Sequence, residues 1–270
     1  MILAIFIPGC GFAAPDDDRD TLVLLGNEKL PPIVYNDNGT AKGVVVDIAQ
    51  AMGEKIGYKV KVMTMNWEQA QKTMLQGEAH GLLQINPNPD RNKFYDFSNP
   101  LLKSDFSIFV RDINVTIRSI DDLKGKHVGV EAGGYPSTLL RQYEGINLEI
   151  IYDWKTSFKD LSEGVLDAIV VDRWIGEYEL AQSRISNIKI VGNPIETKYS
   201  RIAVRKGDVQ TLSLINSGLN EIKADGTLDK IMKQWQGKRV MYLTQDYYRA
   251  FLMRSALLFL FLVAWWPFMR

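Results

Sequence analysis

Arg91 lies in the stretch QINPNPDRNKFYDFSNP, a Pro- and Asn-rich loop straight after an apolar, strand-like run. A loop in that position projects from the carboxyl end of a sheet, where open α/β folds bind ligands. Its guanidinium presents a planar fork that fits a carboxylate, although a solvated loop arginine satisfies the same sequence. Asp172 ends the run AIVV and precedes a helical pattern starting near Trp174. Its carboxylate can cap that helix, bind an ammonium group across a cleft, or do both with different oxygens. Gly133-Gly134 follow the run HVGV and precede another helical pattern. They are either a tight turn or an anion seat made of successive backbone N–H groups. Trp67 opens a helix after a strand, as a core anchor or as an apolar wall for a ligand.

Other chemistry is poorly provided for. The one cysteine, Cys10, and the two histidines, His80 and His127, exclude a disulfide framework and any Cys- or His-rich metal site. Both histidines border apolar strands and read as structural. No Ser–His–Asp order, P-loop or complete GxGxxG is present, so no nucleophile or cofactor is expected. With 32 basic and 32 acidic residues the formal net charge is +0, and no basic stripe offers itself to nucleic acid. A hydrophobic content of 46% over 270 residues fits one large globular unit or two lobes.

The elements that must position these residues alternate between strand-like and helical patterns, the signature of an α/β fold. In the first half, strands are expected at Thr21–Leu25, Lys59–Met63, His80–Ile85 and Phe106–Arg111, with helices at Val44–Ile56 and Trp67–Gln76. The first helix shows its apolar spacing in Val45, Ile48, Ala49, Met52 and Ile56; the second is capped by Asn66 and stopped by Gly77. The pattern then restarts. Strands are expected at His127–Val130, Leu148–Tyr152, Ala168–Val171, Lys189–Val191 and Arg201–Arg205, and helices at Ser119–Leu123, Ser137–Tyr143, Ser157–Glu163 and Trp174–Gln182. Two amphipathic helices, Leu212–Lys223 and Leu228–Trp235, follow. Two similar halves joined by Phe106–Arg111 and Pro194–Arg205 would enclose a cleft, the usual place for a small ligand.

Both ends differ from this core. Residues 1–14, MILAIFIPGCGFAA, resemble the end of a secretory signal with cleavage after Ala13; lipidation of Cys10 and a buried strand are the alternatives. A solvated linker, Pro15–Asp20, follows. Ser255–Met269 carries no charge, and with Ala250–Arg254 it reaches the roughly 20 residues that span a bilayer. Trp265-Trp266 would form an interfacial belt, and Arg270 would lie on the cytoplasmic side. A buried C-terminal helix is the alternative.

Several stretches taken together resemble the bacterial extracellular solute-binding protein family 3, the amino-acid-type periplasmic binding proteins. They are LPPIVYNDNGTAKGVVVDIAQAMGEKIGY, NWEQAQKTMLQGEAHGLLQ, PNPDRNKFYDFSNPLL, SIDDLKGKHVGVEAGG, LSEGVLDAIVVDR and DGTLDKIMKQW, in family order over roughly residues 21–240. The resemblance implies a type II periplasmic-binding-protein fold: two α/β lobes with hinge crossovers, lobe 1 formed by residues 21–106 and 202–240 and lobe 2 by residues 107–201, followed here by a transmembrane helix over 250–269. It implies that Arg91 grips a ligand carboxylate, Asp172 binds the ammonium, Trp67 stacks on the ligand and Asn86 adds a polar contact.

Three departures stand out. Leu30 replaces an aromatic, Gly134-Tyr135 replace a pair of hydroxyl residues, and His80 replaces an aspartate. LLQINPNPDRNKFYDFS and VVDRWIGEYELA look most like domains fused to membrane sensors. The expectation is therefore a non-enzymatic, extracytoplasmic sensor of an amino acid or related solute, anchored to the inner membrane and joined to a cytoplasmic signalling module. The alternative is the substrate receptor of an ABC-type importer, working with a permease. A dehydratase-like enzyme is the third reading, with Glu131 and His127 its only acid–base candidates and neither showing a partner in the sequence.

Overall fold

The computed structural model describes residues 21–236 and 252–256. Strand β1 (Thr21–Asn27) runs parallel to β5 (Lys59–Met65) on one side and to β6 (Gly81–Ile85) on the other. Helix α1 (Val44–Ile56) presents Val45, Ile48, Ala49 and Met52 to the core and stops at Gly57, whose positive φ of 71° a glycine adopts without strain. Helix α2 (Trp67–Gln76) starts where the Asn66 side chain accepts hydrogen bonds from Glu68 N and Gln69 N, and ends at Gly77. Both helices have the expected bounds. A small antiparallel sheet between β1 and α1 was not expected: β2 (Lys29–Leu30), β3 (Val34–Asp37) and β4 (Thr40–Lys42).

The second half repeats the plan. Strand β7 (Tyr95–Phe97) leads to β8 (Leu102–Arg111), and β9 (His127–Glu131), α3 (Tyr135–Leu140), β10 (Asn147–Ile151), α4 (Trp154–Glu163), β11 (Ala168–Asp172) and α5 (Arg173–Ser183) follow. Strands β9, β10 and β11 are mutually parallel, and β8 joins them antiparallel to β11. Helix α3 starts two residues earlier than the spacing predicts. Pro136 lies in its first turn, where a missing N–H leaves no helical bond unmade.

Strand β12 (Ile188–Arg205) corrects another expectation. The two short strands predicted there are one strand of 18 residues. It pairs antiparallel with β8 on both sides of an irregularity between Val191 and Glu196, then passes on to β6 and β7. The sheet order is β10-β9-β11-β8-β12-β6-β1-β5, so β8 and β12 carry the chain between the two halves.

Each half has its own apolar filling. Leu25, Leu82 and Ile85 are buried with Met74 of α2, and Ile108, Val128 and Val130 with Leu140 of α3. Gly176 of α5 rests directly on the Phe109 ring, and Phe109 meets Phe158 edge to face at 5.5 Å. The last helices return to the first half. Helix α6 (Val209–Ala224) packs on α1, Gly218 lying against Met52, and the helical stretch 227–236 is tied to α1 by Trp235 Nε1 donating to Asp47 Oδ2 at 2.7 Å.

The signal-like segment 1–14, the linker 15–20 and most of the apolar segment 250–269 lie outside the described residues. Leu252–Ala256 are helical and exposed. Among the described residues no helix is long and apolar enough to cross a membrane.

Candidate functional site

The backbone turns inside β6, one residue before its end. Gln84 is buried with φ at 64°, a conformation that costs a side-chain-bearing residue energy and recurs at functional sites. The turn delivers residues 86–90 and then Arg91, which begins a short 3-10 turn. Asn88 Oδ1 accepts a hydrogen bond from Arg91 N at 2.8 Å and holds its backbone. The Arg91 side chain is 8% exposed. Nη1 donates to the Asn86 carbonyl at 2.7 Å, and Nη2 donates to the Gly133 carbonyl of the other half at 2.8 Å. Two of five guanidinium donors are thus used on carbonyls. Burial pulls the Arg91 pKa down to about 10, against the opposing charge of Glu131. At every pH of interest Arg91 remains a cation.

Asp172 closes β11, and its Oδ1 accepts from Trp174 N at 2.8 Å, so it does cap α5. The same side chain lines the cavity that Arg91 lines. All seven sequence candidates meet there: Leu30, Trp67, Asn86, Arg91, Gly134, Tyr135 and Asp172 border one cavity with an empty volume of about 450 Å³. Leu30, Trp67, Asn86 and Arg91 come from the first half, and Gly134, Tyr135 and Asp172 from the second.

Trp67 serves both purposes offered for it, lining the cavity while packing with Leu25, Ala70, Met74 and Tyr95. Tyr135 stacks on Phe106, the ring centroids 5.0 Å apart and the planes at 24°. The Asn86 Oδ1 is buried and has no hydrogen-bond partner among the described residues. A buried acceptor of that kind calls for a donor, and an ammonium group supplies one.

The double glycine forms the tight turn that is one of its two readings. Gly133, at φ 62°, turns its carbonyl toward Arg91, and the Gly134 N–H donates to the Glu131 carbonyl at 3.2 Å.

The sequence undervalued Glu131. It does have a partner: Asn27 Nδ2 donates to Glu131 Oε1 at 2.6 Å, across the two halves. Burial pushes its carboxyl up to about 7, against the Asn27 hydrogen bond and the Arg91 charge, both of which favour ionisation. Lys29 Nζ donates to the Tyr152 carbonyl at 3.1 Å, a third tie between the halves. Phe106 and Trp154 complete the apolar wall. Trp154 was findable, because Asp153-Trp154 at the start of α4 repeats the cap-then-tryptophan pair Asn66-Trp67 of α2.

The histidines lie elsewhere. His80 Nδ1 accepts from Val23 N at 2.9 Å, and His127 Nδ1 faces Glu149 Oε1 at 2.9 Å on an exposed edge. Among the described residues no three His, Cys, Asp or Glu side chains come together to hold a metal.

The description "Bacterial extracellular solute-binding proteins, family 3" matches residues 22–238. The chain belongs to this family. Its two-lobed α/β fold is the periplasmic-binding-protein fold. A histidine kinase sensor domain with similarity to periplasmic binding proteins superposes with a TM-score of 0.76 at 25% identity, over 82% of this chain and 98% of that one. The chain is similar to the L-cystine-binding protein TcyJ of Escherichia coli (strain K12), 30% identical over 83% of this chain and 85% of the relative. It is also similar to the putative amino-acid ABC transporter-binding protein PatH of Vibrio harveyi, 28% identical over 76% of this chain and 84% of the relative.

Proposed function

We propose that this chain binds an amino acid on the outer side of the cytoplasmic membrane as the substrate receptor of an ABC-type importer. Its lobes are residues 21–106 with 202–240, and residues 107–201. The observation that carries the reading is that Arg91 and Asp172, from different halves and of opposite charge, line one cavity. A zwitterion bridges such a pair: its carboxylate meets the guanidinium fork, and its ammonium meets Asp172 and Asn86 Oδ1. Each charge-assisted hydrogen bond contributes about 1.5–3 kcal/mol net. Two or three of them, with burial against Trp67, offset closure and reach roughly micromolar affinity, ~−8 kcal/mol. Bridging contacts exist only when the lobes are shut, so ligand shifts the open–closed population. Similarity to the cystine-binding and ABC transporter-binding relatives supports an amino acid as ligand and a permease as partner.

A second reading, a sensor domain anchored by the apolar segment 250–269 and acting on a cytoplasmic module, draws on the kinase sensor domain likeness. Neighbouring permease and ATPase genes favour the importer, and an in-frame kinase or cyclase module favours the sensor. Titration calorimetry of the full chain against the twenty common amino acids and L-cystine tests the site itself. At least one saturable ligand is expected, with binding lost in Arg91→Ala; no binding by any of them refutes the reading.

A further inference from the structure

The cavity holds one carboxylate more than a zwitterion needs. Arg91 brings one cation to its lining, and Asp172 and Glu131 bring two carboxyl groups, each of which is an anion once ionised. A bound zwitterion pairs with Arg91 and Asp172 and leaves Glu131 over. Glu131 is the carboxylate whose charge acts most strongly on Arg91, so an incoming ligand carboxylate and Glu131 compete for one guanidinium. Two anions on one partly desolvated cation raise the proton affinity of the weaker acid.

The hydrogen bonds fix where a proton would go. Asn27 Oδ1 accepts from Lys29 N at 2.8 Å, which orients the amide so that its NH₂ faces Glu131 Oε1. An NH₂ group offers no acceptor, so Oε1 stays unprotonated and a proton resides on Oε2. Oε2 lies beside Gly134, only 2.9 Å from where a Cβ on that residue would stand, and Gly134 borders the cavity with Glu131. An O–H there gives a carboxylate on Arg91 a donor at a position where Gly134 has no side chain.

Resting on the function proposed above, we propose that Glu131 is a ligand-site residue that takes up one proton from solvent as an amino-acid carboxylate docks on Arg91. The proton adds to Glu131 Oε2 and leaves the buffer acid that supplies it, and no other covalent bond forms or breaks. The other groups facing Glu131 leave this role to it. Arg91 stays cationic, and Tyr135 on α3, its phenol raised by burial, stays neutral. Asp172 is engaged with the start of α5. Glu68 of α2 lies beside Gly133. Glu28, Lys29 and Tyr152 line the adjoining cavity on the far side of Glu131. Burial has already brought the Glu131 carboxyl up to about 7, so a further rise on binding falls within the accessible pH range.

The test is calorimetry of the full chain with the twenty common amino acids and L-cystine, in phosphate and in Tris, at pH 6 and pH 8. At pH 8 the heats in the two buffers should differ by the uptake of a fraction of a proton approaching one, and at pH 6 by little. The dissociation constant should rise above pH 7 by up to about tenfold per pH unit. Glu131→Gln keeps the acceptor for Asn27 but cannot titrate; it should bind with no proton uptake and a flat pH profile. Equal heats in both buffers at pH 8, or uptake that persists in Glu131→Gln, overturns the inference and leaves the binding site standing. If no amino acid binds at either pH, the binding reading falls and this inference falls with it.

Discussion

Asp172→Asn separates the two roles of that side chain. In the structure its Oδ1 accepts from Trp174 N at 2.8 Å and starts α5, while the carboxyl borders the cavity. Asparagine caps a helix about as well as aspartate, so α5 should keep its start. The charge facing a ligand ammonium is lost. A charge-assisted hydrogen bond contributes about 1.5–3 kcal/mol, which at about 1.4 kcal/mol per decade is a roughly 10- to 150-fold weaker dissociation constant. Asp172→Ala should lose the same affinity and also the cap, about 1 kcal/mol, or about 2–4 °C in Tm for a chain of this size. Calorimetric titration and scanning calorimetry on the two variants read both effects. Wild-type affinity in Asp172→Asn refutes the ammonium contact. An equal fall in Tm for both variants refutes the assigned cap.

Arg91→Lys keeps the charge but loses the fork that reaches the Asn86 and Gly133 carbonyls at once, so amino-acid affinity should fall at least about tenfold in calorimetric titration; unchanged affinity contradicts the bridging role. Gly176→Ala sets two effects against each other. Alanine is better than glycine in a helix by about 1 kcal/mol, but its Cβ would stand 2.2 Å from Phe109 Cζ, under a ring already fixed against Phe158. Overpacking costs about 1–3 kcal/mol, and at so close an approach it should fall at the upper end and win by up to about 2 kcal/mol, lowering Tm by up to about 8 °C in a thermal melt; a Tm at or above wild type refutes the packing argument.

The sequence announces α1 and α2 to the residue because several local signals agree there: apolar spacing, an Asn66 cap and glycine stops at Gly57 and Gly77. The single strand β12 was hidden because Gly192-Asn193-Pro194 read as a break. Pairing with β8 on both sides carries the strand through that irregularity. The sheet of β2, β3 and β4 is too short and polar to show alternation. Arg91, Asp172 and Trp67, which line one cavity, could be named as candidates because each sits at the edge of a recognisable element. The partner of Glu131 could not be named, since it is Asn27, 104 residues away in sequence, and no local pattern reports that meeting.

The connecting strands have a mechanical consequence. Residues 102–106 of β8 are laddered to residues 196–200 of β12, so the link is a two-ply ribbon and not two independent tethers. A ribbon flexes across its flat side and resists sliding of one edge past the other. The halves should part along one arc, as the cover of a book does. On that arc the contacts of Asn27, Lys29 and Arg91 with Glu131, Tyr152 and Gly133 separate in a single stroke, which favours two populated shapes over a continuum.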